Sequence, residues 1–164
     1  MSSTIDGNLT VRGTLLPNVL RIPNGTILDA AVGAGAAIDA DKLIHRFQAG
    51  YAQANAAAAD ETRVVYLARA AGEVTEFLAG SIAKAVGDAI CTVDLKKNGT
   101  SILSAVITLD NANTNRVAEA GALTVSPTVL AAGDVLEVVI DATIGTGTLP
   151  TGVFCAATIN EDPT

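Results

Sequence analysis

From about Glu61 onward, apolar and polar residues alternate in short runs of strand length. The runs TRVVYLARAAG, EVTEFLAGSIA, DAICTVDLKKNGTSILSAVITLD, NRVAEAGALTV, DVLEVVIDAT and TGVFCAATINE are bounded by Gly, Asn, Asp and Pro, residues that break strands by favouring turns. The clearest unit surrounds KKNGTS, where Asn98-Gly99 offers the two positive φ angles of a type I′ hairpin turn. Counting away from that turn, Ala89, Cys91, Val93 and Leu95 share one face of the first arm. Ser101, Leu103, Ala105, Ile107 and Leu109 form the matching row of the second, and Asp94, Lys96 and Thr108 point to the opposite face. In DVLEVVIDAT, Leu136, Val138, Ile140 and Ala142 make one row, while Glu137 and Asp141 fall on the other. Each strand thus has a core face and a wet face, and seven or eight such strands suffice for two packed sheets. The expected fold class is all-β, an antiparallel β-sandwich of jelly-roll-like type over residues 61–164. Leu103, Ile107, Leu136, Val138 and Ile140 are expected in its core.

Before Glu61 the pattern changes. Gly7 to Ala30, GNLTVRGTLLPNVLRIPNGTILDA, alternates like sheet sequence but lacks the aromatic and large aliphatic mass of a self-sufficient hairpin domain. AAVGAGAAIDA, residues 30–40, is small and flexible. DADKLIHRFQAGYAQANAAAADE reads as a possible short helix, with Asp39 or Asp41 as N-cap, running into an Ala-rich linker. Residues 1–60 therefore read as an N-terminal arm of strand repeats, linker and short helix, serving trimerisation and attachment. Ordering such an arm costs about 1–2 kcal/mol of backbone entropy per residue. A thin ribbon buries too little of its own apolar surface to offset that, so the arm is expected to pack against copies of itself, a partner surface, or both.

Composition sharpens this picture. Hydrophobic residues make up 49% of the 164, which places the chain among globular proteins, yet three Phe, two Tyr and no Trp leave the core to Val, Ile, Leu and Ala. A formal net charge of −7 makes association with nucleic acid or an anionic membrane unfavourable, because phosphates would be repelled. Partners are expected to be proteins or neutral ligands. No apolar run approaches the length of a membrane span, and MSSTIDGNL lacks the basic and apolar regions of a secretory signal, so synthesis in a cytoplasm is expected.

Candidate chemistry is sparse. His45 is the sole histidine, so a His-rich metal site cannot be assembled within one chain; it has no nucleophile at readable spacing, and KLIHRFQAGY reads as packing sequence. GTGTLPTG and AVGAGAA lack the Lys-Ser/Thr of a phosphate loop. Glu137 and Asp141, four apart on one strand face, have the residue type to approach a sugar or a calcium ion, but a solvated outer face is the simpler expectation. Asn8, Asn24 and Asn98 head glycosylation sequons and are read as turn residues. Cys91 and Cys155 have no second ligand at zinc spacing; two buried free thiols are expected, with a disulfide between neighbouring strands as the alternative. No catalytic, cofactor-binding or metal-binding residues are assigned.

The segment IPNGTILDAAVGAGAAIDADKLIHRF, followed by YAQ and by a sandwich containing CTVDLKKNGTSILSA and AAGDVLEVVI, resembles phage head-decoration (cement) proteins. GNLTVRGTL is similar to the short strand repeats of trimeric phage fibre shafts. The resemblance implies a β-sandwich virion protein that forms a homotrimer on the capsid exterior, binds the major capsid protein, and carries out no catalysis. It transfers no chemistry-bearing residue. A receptor-binding, glycan-binding head or tail fibre is the alternative, and a sandwich enzyme such as a lyase a remote one.

Overall fold

A computed structural model describes residues 45–161. Period-two alternation gives strands, and nothing among the described residues is helical. The strands are β1 (His45–Ala52), β2 (Glu61–Leu67), β3 (Gly72–Ala83), β4 (Ile90–Lys97), β5 (Thr100–Ser101), β6 (Ile107–Leu109), β7 (Ala118–Gly121), β8 (Thr128–Leu130), β9 (Val135–Thr143) and β10 (Thr151–Glu161). They form two antiparallel sheets. One runs β1-β10-β3-β7 with β8 also on β3, and the other runs β2-β9-β4-β5 with β6 also on β4. Taking β5 with β6, and β7 with β8, as interrupted strands leaves eight in two sheets wound in jelly-roll order.

The core lies where the apolar rows meet. Leu136, Val138 and Ile140 of β9, Val93 and Leu95 of β4, and Leu103 and Ile107 are buried against Val74, Phe77 and Ala79 of β3 and Val153, Ala157 and Ile159 of β10. The hairpin turn is as the sequence predicts: Asn98 and Gly99 have φ of 50° and 81°, and Lys97 pairs with Thr100.

Three expectations change. The arm boundary at residue 60 is too late, because His45–Ala52 is a sandwich strand paired along its whole length with β10. The reason is the alternation within HRFQAGYA, where Phe47, Ala49 and Tyr51 pack on the core while Arg46, Gln48, Gly50 and Ala52 face outward. His45 itself is exposed at the start of that strand. The second arm of the hairpin is also not one row: β5 ends at Ser101, the chain leaves the sheet, and β6 resumes at Ile107. Ser101 and Ala105 are consequently exposed, and Ile102 and Leu103 are both buried. Finally, Asp94 does lie on the face away from the core row, opposite Val139, but it is buried and accepts a hydrogen bond from Ser101 Oγ at 2.7 Å.

Candidate interaction surfaces

The strand order sends four connections to one end of the sandwich: residues 53–60, 84–89, 110–117 and 144–150. They are laced together. Ala58 N donates to Pro150 O at 2.8 Å, and Val86 and Thr148 exchange two backbone bonds of 2.9 Å. Asp88 Oδ1 accepts from Thr146 N at 2.8 Å and from Thr146 Oγ1 at 3.0 Å; these two bonds hold its carboxyl below the usual carboxylate range. Lys84 Nζ reaches Asn111 O at 2.7 Å, and Asn111 Nδ2 donates to Gly87 O at 2.8 Å. Asn113 is buried between Asp110 N and the Glu119 carboxylate. The exposed apolar side chains here are Val86, Val117 and Ile144, and none of the four connections contains an aromatic residue.

The opposite end holds both ends of the described chain, since His45 pairs with Glu161 and Glu161 with Gly72. Glu161 Oε1 accepts from Tyr66 OH at 2.7 Å and from the backbone N–H groups of Arg69 and Ala70 at 3.3 and 3.2 Å. The Tyr66 hydroxyl, foremost, lowers the Glu161 carboxyl, while burial and that same carboxylate push Tyr66 up to about 12. Asn98 Nδ2 donates to Asp134 Oδ1 at 2.7 Å, and Asn98 Oδ1 accepts from Val135 N at 2.8 Å, so this sequon residue is a turn anchor.

The two lateral edges are built differently. Where the interrupted strands meet, Leu103 and Leu123 form a β-bridge, flanked by Ser104 N to Ala122 O and Thr124 N to Ile102 O, both 2.8 Å. Backbone bonds therefore tie the two sheets at that edge. Between β1 and β2 the closure is made by side chains. Tyr51 OH donates to Glu61 Oε2 at 2.5 Å, Arg63 Nε to Glu61 Oε1 at 2.5 Å, and the Arg63 guanidinium lies 5.8 Å from the Tyr51 ring centre. The Phe47 and Tyr66 rings sit 5.4 Å apart. The Tyr51 hydroxyl is the main cause of a lowered Glu61 carboxyl. Phe47, Tyr51 and Tyr66 are each half-buried, and three of the five aromatic residues thus gather at this one corner.

Glu137 and Asp141 lie on the outer face of β9, as their spacing predicts, but they are not brought together. Glu137 sits between Val64 and Lys96, and Asp141 opposite Thr92. Among the described residues no group of three His, Cys, Asp or Glu is placed to hold a metal ion. Cys91 belongs to one sheet and Cys155 to the other, and both are buried free thiols. Burial raises them to about 12 and about 11, which makes them poor nucleophiles. The disulfide alternative therefore falls. What sequence reading missed is the aromatic corner; its signal was the period-two row Phe47, Ala49, Tyr51, obscured by the alanine run that follows. No protein-family model and no curated protein matches this chain.

Proposed function

We propose that this chain is a structural virion protein that decorates and stabilises the outside of a phage head as a homotrimer, held on the major capsid protein through its N-terminal arm and without catalysis. The observation that carries the reading is the division of the molecule. Residues 45–161 make a jelly roll whose core is complete within one chain, and the arm is covalently joined at His45, at the end opposite the laced loops. A sandwich joined to a long arm suits attachment by the arm, since a segment that orders on its partner can wrap a large surface and so touch several neighbouring subunits. The acidic charge and the sequence resemblance to head-decoration proteins support the same role. The alternative, a glycan-binding fibre tip, gains less support, because the loops of the exposed end offer no aromatic platform for a sugar ring.

The test is co-sedimentation of the full chain with undecorated heads of the phage that encodes it, followed by thermal rupture of those heads. Binding in hundreds of copies with a raised rupture temperature is expected. A handful of copies at the tail indicates the fibre reading, and no binding to any part of the virion overturns the proposal.

A further inference from the structure

Among the described residues, the outer edge of β1 has no strand partner. Sheets end in a row of unpaired N–H and C=O groups, and natural proteins guard such edges with bulges, proline, inward charges or very short strands. The neighbouring edge strand β2 is guarded in this way, with a register break between Val64 and Tyr66 and with Glu61 and Arg63 locked together beside it. β1 has none of these devices. It pairs with β10 over all eight residues without a register shift, contains no proline, and has Arg46, its second residue, as its one Lys, Arg, Asp or Glu. Directly beside this edge lie the half-buried rings of Phe47, Tyr51 and Tyr66. An unguarded edge next to incompletely covered aromatic surface is a template for one more strand.

The chain itself contains a suitable occupant. In Gly7–Leu16, Leu9, Val11 and Leu15 alternate with Asn8, Thr10, Arg12 and Thr14, so a strand formed there has one apolar row for the aromatic corner and one polar row for water. Charge agrees. Residues 7–28 carry Arg12 and Arg21 and no acid, whereas residues 45–161 hold twelve acidic and seven basic residues. The spacing argues for a donor on another copy. Strands that fold back on their neighbour use turns of two to five residues, but the residues just before β1, GAGAAIDADKLI, are mostly poor strand formers. The chain between Leu16 and His45 is long enough to reach roughly 90 Å when extended, ample for crossing to an adjacent molecule.

We propose that the open edge of β1 receives residues 7–16 of a neighbouring copy as an added strand, and that this head-to-tail donation, closed after three steps, builds the trimer. Such a contact joins different surfaces of donor and acceptor and closes into a ring when the rotation allows. The inference rests on the homotrimer in the functional reading but not on the capsid as its target.

The test uses the full chain. One version carries Gln48→Cys on exposed β1, and a co-expressed second version carries single cysteines one at a time from Asn8→Cys to Thr14→Cys; the native thiols are buried. An interchain disulfide confined to one or two donor positions is expected, in particles of about three times the 16.5 kDa chain mass. Trimers with no interchain link at any position overturn the proposal, as does a link that forms only within one chain when both cysteines are placed together. Amide exchange on the unmodified protein provides a second reading. All β1 amides should be slow, and fast exchange of every second one would show a bare edge. If the link forms but heads are not bound, strand donation stands and the decoration reading fails.

Discussion

The two lateral edges of this jelly roll solve one problem in opposite ways. At the Leu103–Leu123 edge the chain twice leaves its sheet, and two backbone hydrogen bonds, Ser104 N to Ala122 O and Thr124 N to Ile102 O, tie one sheet to the other. At the β1–β2 edge the sheets are tied by side chains, Tyr51 to Glu61 and Tyr66 to Glu161, and among the described residues the outer edge of β1 has no strand partner. The lesson is that closing a sandwich and closing an edge are separate tasks. Side-chain ties hold the layers together without using the backbone groups of the edge strand.

The largest perturbation strikes the core that both edges share. Val138→Asp buries an unpaired charge at a cost on the order of 4 kcal/mol or more, a large part of a domain's whole stability. Soluble folding should be lost, and a variant with normal expression and melting would contradict the core assignment. At the backbone-tied edge, Leu103→Ala removes a buried side chain and should cost about 2–4 kcal/mol by denaturant unfolding, without changing the oligomer. At the side-chain edge, Tyr66→Phe loses only the hydroxyl bond to Glu161 and should cost about 1 kcal/mol. Equal losses at the two edges would erase the contrast drawn between them.

The pH dependence sharpens the same contrast. Tyr66 is raised from its ordinary 10 to about 12, so its contribution is full below 10 and is lost as pH climbs towards about 12. Glu161 is lowered, so its contribution is present above the ordinary carboxylate range and disappears as pH falls through its depressed value. Tyr66→Phe should weaken the alkaline decline, which the raised Cys91 and Cys155 thiols share, and weaken the acidic one. An unchanged alkaline profile in that variant would show that the tyrosine is not the titrating group. The smallest effect is expected from the thiols: neither Cys91 nor Cys155 should react with a thiol reagent at about pH 8 until the protein is unfolded.

Much of the sandwich was legible in the sequence because its central strands alternate cleanly. Leu136, Val138 and Ile140 announce a core row, and Asn98-Gly99 announces its hairpin. The edges were not legible, for a physical reason in each case. β5 and β6 share a continuous apolar count that is broken by an excursion to pair with residues 122–124, a tertiary event no local period records. β8, only Thr128–Leu130, is too short to show a period. β1 was masked because helix-favouring alanines follow its alternating row and Asp39 and Asp41 precede it like caps. The strand repeats of residues 7–30 lie outside the described residues, as does the start of the expected short helix, whose residues from His45 onward form strand β1 instead.

A reconstruction of heads incubated with the purified full chain tests the account most directly. It predicts sandwiches on the outer surface in groups of three, each with an added strand beside β1 and with the loops of residues 84–89 and 144–150 pointing away from the shell. Bare heads, or sandwiches bound singly with nothing beside β1, would contradict it.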